Sequence, residues 1–277
     1  MFKKKISQIL TDTIPTIEAT IYTSENISKN PIIYLHGGGL VFGQRDDLPE
    51  AYLTLLTDAG HPVITLDYLL APEVKLPLIL KTLKKTLESI ILQLPDWRFS
   101  SDYHLMGRSA GGYLAYLLTK EGFKPKNMIL FYSYYTLEVP NFRQPSPAYL
   151  KFPRVAPMDL EALIEAQQIV AGEMTKRYPI YLSGRQFGNW LPRILPSLRD
   201  IPTYSLTEEN LQQLPPTILI HSTDDSDIPY DLSATAANFI PQNKFLTIIG
   251  SEHDFDRQVS EETLDIYRQV IDFIEEN

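Results

Sequence analysis

Apolar residues follow two spacings along this chain, and the two spacings predict different secondary structures. Short apolar runs predict strands at residues 31–35, 63–66, 103–106, 128–132, 217–220 and 245–249. Elsewhere apolar residues recur every three or four positions, which predicts helices with one buried face, first at Leu80, Leu83, Leu87, Ile90, Ile91 and Leu94. A last helix is expected over 264–274, opened by Ser260 as its N-cap. This alternation is typical of an α/β fold, a mostly parallel, doubly wound sheet covered on both faces.

The pattern changes over about residues 137–214, between the predicted strands 128–132 and 217–220. Prolines interrupt regular structure at Pro140, Pro145, Pro147, Pro153 and Pro157. One helix is expected after them, with an apolar face made by Leu160, Leu163, Ile164, Ile169 and Val170. Aromatic residues then cluster at Tyr178, Tyr181, Phe187 and Trp190. The segment is predicted to be an insertion within one domain.

Composition narrows the possible functions. A chain of 277 residues that is 44% hydrophobic can bury one large core, and a single domain is expected over residues 1–277. The formal net charge of −9 argues against nucleic acid or an anionic membrane as a partner. The absence of cysteine excludes a disulfide, a thiolate nucleophile and a cysteine metal site.

The first ten residues have the positive charge of a signal-peptide start, from Lys3, Lys4 and Lys5. Polar residues at positions 7, 8, 11 and 12 interrupt the apolar core that a signal peptide needs. An amphipathic N-terminal helix is therefore predicted. Because no apolar stretch reaches about 18 residues, no membrane span is expected, and the cytoplasm is the default location.

A serine between glycines provides the first candidate for chemistry. Gly107, Arg108, Ser109, Ala110 and Gly111 connect a predicted strand to a helix-like run at 113–118. A nucleophile held on such a tight turn needs small neighbours, because side chains would crowd the reactive oxygen. Ser109 is therefore the candidate nucleophile. The alternative is a turn of small residues that only begins a helix.

A second glycine run, His36-Gly37-Gly38-Gly39, directly follows the predicted strand 31–35. A loop without side chains lets backbone N–H groups converge on the negative oxygen that forms during acyl transfer. Gly37 and Gly38 are the expected donors of this oxyanion hole, together with the amide of Ala110. The alternative is a flexible loop without a chemical role.

Serine also needs a base, and the chain has five histidines. Four of them, His36, His61, His104 and His221, lie in or beside predicted strands, where a structural role is expected. His253 differs because it follows the strand 245–249 in a polar loop before the last helix. That loop opens at the carboxyl edge of the sheet, where Ser109 is also expected.

An acid that orients the histidine should follow the strand 217–220, where Asp224, Asp225 and Asp227 are candidates. The residues alone leave the choice among them open. A serine, acid, histidine order along the chain matches the α/β-hydrolase order and differs from those of chymotrypsin and subtilisin.

Four stretches together carry a family resemblance. They are residues 36–43, the run 67–73 (Asp-Tyr-Leu-Leu-Ala-Pro-Glu), residues 107–112, and His253-Asp254-Phe255. In this order they resemble the hormone-sensitive-lipase branch of the α/β-hydrolases, a family of carboxylesterases. The resemblance implies an esterase with a lid and without a cofactor, which hydrolyses esters with small or medium acyl groups.

The resemblance also assigns roles. It favours Asp225 as the triad acid, because an acid three residues before an apolar-Pro pair is usual there, and Asp227 is held in reserve. It makes segment 137–214 the lid, although a dimer contact would also explain that segment. Two positions depart from the family pattern: Leu69 stands where an arginine is common, and Arg108 where an acid is common. Arg108 is expected to point to solvent.

The expected function is therefore hydrolysis of a small-molecule ester by Ser109, His253 and Asp225. An amidase, peptidase or formamidase on the same scaffold is an alternative, because a triad does not itself distinguish an ester from an amide. A hydrolase-fold binding protein without activity is a second alternative. No cofactor or metal is expected, and a homodimer is possible.

Overall fold

The fold is built on one eight-stranded sheet, as seen in a computed structural model that describes residues 2–9 and 15–277. The strands in chain order are β1 Lys3–Ile9, β2 Ile17–Thr23, β3 Ile32–Leu35, β4 Val63–Leu66, β5 His104–Arg108, β6 Asn127–Phe131, β7 Thr217–Ser222 and β8 Asn243–Ile248. Their order across the sheet is β1-β2-β4-β3-β5-β6-β7-β8. The pairs β1–β2 and β2–β4 are antiparallel and the others parallel. The carboxyl ends of β3 to β8 therefore meet at one edge.

Helices cover both faces of this sheet. They are α1 Glu50–Asp58, α2 Leu76–Gln93, α3 Ala110–Lys120, α4 Met174–Phe187, α5 Trp190–Ile194, α6 Glu208–Leu211, α7 Tyr230–Phe239 and α8 Glu261–Glu276. Side chains alternate between the two faces along each strand. In β5, Leu105 joins the core under α2 and α3, whereas Met106 joins the core under α1 and α8. The predicted α/β class with a mostly parallel sheet is confirmed.

The two helices with the clearest apolar spacing are present as α2 and α8. Helix α8 begins as predicted at Ser260, whose hydroxyl accepts a hydrogen bond from the backbone of Thr263, while the Thr263 side chain bonds back to Ser260 N. This reciprocal capping satisfies N–H groups that the first helical turn leaves free.

The predicted N-terminal helix is wrong where the structure describes it. Lys3–Ile9 is a strand that pairs residue for residue with β2, from Lys3 opposite Thr23 to Ile9 opposite Ile17. A helix here would have only Ile6 and Ile9 to bury among seven residues, whereas pairing along a sheet edge satisfies the backbone and leaves the lysines in solvent. Positions 1 and 10–12 of that prediction lie outside the described residues. In the described chain no helix is long and apolar enough to cross a membrane.

Segment 137–214 runs from the end of β6 to β7 and contains α4, α5 and α6. The helix predicted here, with an apolar face from Leu160 to Val170, is wrong. Pro157–Leu163 is a short 3₁₀ helix, and no helix follows before α4. Main-chain hydrogen bonds to residues 43 and 70 hold this part in an irregular conformation instead. The Ile169 carbonyl accepts from Leu70 N at 3.0 Å, and Gly172 exchanges two bonds with Gly43, at 2.8 and 2.9 Å.

Candidate active site

Ser109 lies in the turn between β5 and α3 with φ 51° and ψ −117°, and L-residues rarely adopt a positive φ. Its N–H donates to the Phe131 carbonyl at 2.9 Å. The flanking glycines are required by contact. A Cβ on Gly107 would lie 2.4 Å from Gly111 C, and a Cβ on Gly111 would lie 2.1 Å from Leu35 O. The small residues predicted around Ser109 therefore let strand, turn and helix approach closely.

His253 connects Ser109 to Asp225. Ser109 Oγ lies 2.9 Å from His253 Nε2, and His253 Nδ1 lies 2.6 Å from Asp225 Oδ2. The other Asp225 oxygen accepts from the backbone N–H groups of Asp227 at 2.8 Å and Ile228 at 3.0 Å. These bonds fix the carboxylate, so that a neutral imidazole donates from Nδ1 and accepts the serine proton at Nε2.

Electrostatic interactions between His253 and Asp225 favour the charged form of both side chains. Burial alone would lower the pKa of His253, but the Asp225 charge and hydrogen bond outweigh burial and raise it to about 9. Burial alone would raise the pKa of Asp225, but the charge of His253 and hydrogen bonds from His221 and His253 hold it well below its usual range. The site is therefore arranged to stabilise an imidazolium.

Asp227, the reserve acid, lies on the other side of the imidazole. Its Oδ2 is 3.9 Å from His253 Nε2, beyond hydrogen-bond distance. The Tyr181 hydroxyl donates to its carboxylate at 2.8 Å, and Arg185 Nη2 lies 3.2 Å from Oδ1. Asp225 is therefore the acid within hydrogen-bond distance of the ring, whereas Asp227 is bound to helix α4.

The glycine loop lies directly against this turn. A Cβ on Gly37 would lie 3.4 Å from Ser109 Cβ. Gly38 has φ +100°, and its carbonyl turns away to accept from Val41 N at 2.9 Å. Within residues 2–9 and 15–277, no hydrogen bond uses the N–H groups of Gly37, Gly38 or Ala110. The three predicted donors are available for a ligand.

The other four histidines have local partners. His36 Nδ1 lies 2.8 Å from Gly37 O and its ring stacks on Tyr68, which fixes the start of the glycine loop. His61 Nδ1 lies 2.8 Å from the Asn30 carbonyl, and its ring packs edge-on against His104. His221 was not predicted near the site, but its Nε2 lies 3.1 Å from Asp225 Oδ2.

Arg108 does not point to solvent, contrary to prediction. It is buried, with Nε donating to the Tyr132 hydroxyl at 2.6 Å and Nη2 to Asp256 Oδ1 at 2.8 Å. Asp256 also accepts from the hydroxyls of Tyr132 at 2.7 Å and Tyr267 at 2.8 Å. A cation on a buried strand needs a paired anion, and Asp256, three residues after His253, supplies it. Neither Tyr132 nor Asp256 was predicted to belong to the site.

Leu69, the second departure from the family pattern, is buried among apolar residues. A charged contact beside the glycine loop exists nevertheless, because Arg177 of α4 pairs with Glu73 at 2.7 Å and donates to the Val41 carbonyl at 2.7 Å.

Ser109 and His253 open into a cleft of about 290 Å³. Its walls combine the glycine loop with residues of segment 137–214, including Gly172, Met174 and Tyr181. The carboxyl edge of the sheet thus brings together all the residues predicted to act.

A mostly parallel sheet with a strand–serine–helix turn at its carboxyl edge defines the α/β-hydrolase class. The family model for the alpha/beta hydrolase fold matches residues 32–233, and the chain belongs to this family. This confirms the resemblance to the hormone-sensitive-lipase branch that the motifs indicated.

Several solved structures share this fold over nearly the whole chain. A protein of unknown function from Staphylococcus aureus subsp. aureus Mu50 is 28% identical, with a TM-score of 0.90 over 98% of both chains. An alpha/beta hydrolase superfamily protein from Enterococcus faecalis is 29% identical, with a TM-score of 0.87 over 99% of both chains. Carboxyl esterase 2 from Tuber melanosporum shares the fold at 19% identity, with a TM-score of 0.68 over 99% of this chain and 87% of that one.

Curated relatives are much longer proteins. A non-reducing polyketide synthase from Penicillium brevicompactum is 28% identical over 237 residues, which cover 78% of this chain and 10% of the synthase. Another, from Penicillium brasilianum, is 34% identical over 107 residues, which cover 35% of this chain and 4% of that synthase. The matched region thus spans 4% to 10% of these relatives.

Proposed function

We propose that this protein is a serine carboxylesterase that hydrolyses esters with small or medium acyl groups. The observation that carries the proposal is the line of hydrogen-bonding contacts from Ser109 Oγ through His253 to Asp225 beside a cleft. The shared fold with a carboxyl esterase supports it. The open N–H groups beside the serine match the needs of an acyl-transfer site.

In the first half of the reaction, Ser109 Oγ bonds to the ester carbonyl carbon while its proton passes to His253 Nε2. The N–H groups of Gly37, Gly38 and Ala110 donate to the carbonyl oxygen as it becomes negative. Asp225 stabilises the imidazolium. The bond to the alcohol oxygen then breaks, and that oxygen takes the proton from His253, which leaves an acyl-serine.

In the second half, a water molecule replaces the alcohol. His253 Nε2 takes a proton from this water as its oxygen bonds to the acyl carbon, and the same three N–H groups stabilise the oxyanion. The bond to Ser109 Oγ breaks and the serine recovers its proton. The products are one carboxylic acid and one alcohol.

Segment 137–214 acts in this proposal as the lid of a single domain. Its Tyr181 and Met174 form a largely apolar wall of the cleft. Such a wall excludes water from the acyl group and strengthens the electrostatic interactions around Ser109.

The test is hydrolysis of p-nitrophenyl butyrate by Ser109→Ala, with Ser89→Ala on α2 as the matched control. We expect kcat/KM to fall by about 10³-fold or more in the first variant and to stay unchanged in the control. A fluorophosphonate probe should label the wild type at Ser109. Near-normal turnover in Ser109→Ala, or an unlabelled Ser109, would refute the proposal, and faster cleavage of a matched anilide would favour an amidase.

A further inference from the structure

Two oppositely charged side chains, Arg108 and Asp47, line the cleft beside Ser109. We propose that they form a subsite for a hydroxyl group on the alcohol part of the substrate, which makes the substrates esters of polyols or similar hydroxylated alcohols. This inference rests on the proposed esterase function and specifies its substrate class.

Arg108 is fixed in place but keeps one donor group. Nε and Nη2 are held by Tyr132 and Asp256. In the part of the chain that the structure describes, Nη1 makes no hydrogen bond of good geometry and lies 3.7 Å from Asp47 Oδ2. The Tyr34 side chain is a further neighbour of the guanidinium. Because the side chain is already immobilised, binding a substrate at Nη1 costs little additional conformational entropy.

Asp47 complements this donor. The Tyr34 hydroxyl donates to its Oδ1 at 2.7 Å and orients the carboxylate. Oδ2 has no hydrogen bond among the described residues, and the Asp47 side chain is 32% exposed to solvent. A rigid acceptor therefore stands opposite a rigid donor, and both open to the cleft.

The charges favour a neutral ligand. Arg108 faces two carboxylates, Asp256 and Asp47, so no excess positive charge remains for an anion. A hydroxyl can accept from Nη1 and donate to Oδ2 at the same time, since its oxygen has both functions. A plain alkyl group would remove water from both charged atoms without replacing their hydrogen bonds, which is unfavourable.

The position of the pair favours the alcohol part over the acyl part. The Tyr132 hydroxyl accepts from Arg108, and the Tyr132 ring packs against His253 with 4.7 Å between centroids. The leaving oxygen must lie near His253 to receive its proton. The departing alcohol thus extends on the side of Tyr132 and Arg108.

The experiment compares kcat/KM for 2,3-dihydroxypropyl butyrate and propyl butyrate, which share one acyl group. The wild type should prefer the dihydroxypropyl ester by about tenfold or more, the size expected for a hydrogen bond to a charged group. Asp47→Ala should abolish most of this preference. Tyr34→Phe, a nearly isosteric change that releases Asp47, should reduce it partly. Asp46→Ala is the matched control, because Asp46 binds Lys4 and Tyr22 outside the cleft and should keep the preference.

Equal rates for the two esters in the wild type, or a preference that survives both Asp47→Ala and Tyr34→Phe, would overturn the subsite. A preference for propyl 3-hydroxybutyrate that depends on Asp47 would overturn its assignment to the alcohol side. Fluorophosphonate labelling of Ser109 in each variant separates these results from loss of folding. A wild type that neither binds the probe nor hydrolyses either ester would refute both the proposed function and the subsite.

Discussion

Two carboxylates approach the His253 ring from opposite nitrogens, and only one of them is within hydrogen-bond distance. Asp225 lies 2.6 Å from Nδ1, whereas Asp227 lies 3.9 Å from Nε2. A carboxylate at Nδ1 fixes the tautomer that presents a free Nε2 lone pair to the serine. The two aspartates therefore have unequal consequences for catalysis.

Replacing each aspartate by asparagine should separate these consequences. Asp225→Asn should lower kcat/KM for p-nitrophenyl butyrate by about 10³- to 10⁴-fold, because the amide favours the wrong tautomer. We expect a loss of about tenfold or less in Asp227→Asn, whose amide oxygen still accepts from Tyr181. A larger loss in Asp227→Asn than in Asp225→Asn would contradict the assignment.

The raised pKa of His253, about 9, predicts the pH dependence of the reaction. His253 must be neutral to accept the serine proton, so kcat/KM should increase with pH and level off on the alkaline side of an ordinary histidine pKa. In Asp225→Asn the residual activity should level off at lower pH, since the anion that stabilises the imidazolium is gone. Profiles of kcat/KM against pH, from about pH 5 to pH 10, locate the pH at which the activity of each protein levels off. The same levelling-off pH in the two proteins would contradict this origin of the shift.

Residue types and spacing predicted that Ser109 and His253 would meet at the site, and the family resemblance selected Asp225 from three aspartates. Ser109, Asp225 and His253 each follow a strand, and strand ends converge at one edge. The burial and pairing of Arg108 could not be predicted in this way, because its partner Asp256 lies 148 positions away and on a different element. Such a pairing depends on three-dimensional packing, which the local pattern does not contain.

At the level of elements, the turn between β5 and α3 depends on the close approach of the helix to β3. A Cβ at Gly111 would lie 2.1 Å from the Leu35 carbonyl and 2.5 Å from that of His36. The same contact places the Ala110 N–H beside the glycine loop. The position of α3 and the geometry of the proposed oxyanion hole are thus set together.

Gly111→Ala should therefore impair both folding and activity. We expect a loss of unfolding free energy of about 2 kcal/mol or more from steric overlap with the backbone. A kcat loss of about tenfold or more should accompany it as α3 shifts. Gly122→Ala at the end of α3 is the control, because its Cβ meets open space and only its φ of +101° is unfavourable. Equal effects of the two variants on kcat, measured alongside urea unfolding, would contradict the argument.

The prediction of elements succeeded for the parallel strands and for the two helices with the clearest apolar spacing, and it failed for the two antiparallel strands at the start of the chain. The apolar runs located β3 to β8, and the three-to-four spacing located α2 and α8. Strand β2 was not predicted at all, and β1 was predicted as a helix. Strand β1 has little apolar alternation and is held by backbone pairing with β2. Strand β2 also pairs with β4 and buries Ile17, Ala19 and Ile21.

At the scale of the molecule, the buried pair Arg108–Asp256 joins the sheet to the last part of the chain. Asp256 is fully buried and accepts from β5, from Tyr132 after β6 and from Tyr267 of α8. Its loop also carries His253. The same carboxylate therefore contributes to global stability and to the position of the base.

Removing that carboxylate should cost much of the stability. Asp256→Ala should lower the unfolding free energy by about 3 kcal/mol, because buried Arg108 loses its hydrogen-bonded carboxylate and keeps only Asp47, 3.7 Å away. The double variant Arg108→Met/Asp256→Leu should recover part of this loss. Asp254→Ala, which removes an exposed ion pair with Arg257, should cost less than about 1 kcal/mol. Urea unfolding measures all three, and a double variant less stable than Asp256→Ala would contradict the account.

The paired hydrogen bonds between Gly43 and Gly172 have a consequence for how a substrate is admitted. Through these bonds, segment 137–214 is attached to the loop that continues from the glycine run to Gly43. If the segment lifts at Gly172, either both hydrogen bonds break or the loop moves with it, away from Ser109. In the proposed esterase, opening at this point would separate the glycine loop from Ser109, so that closing over the substrate would also restore the arrangement needed for attack.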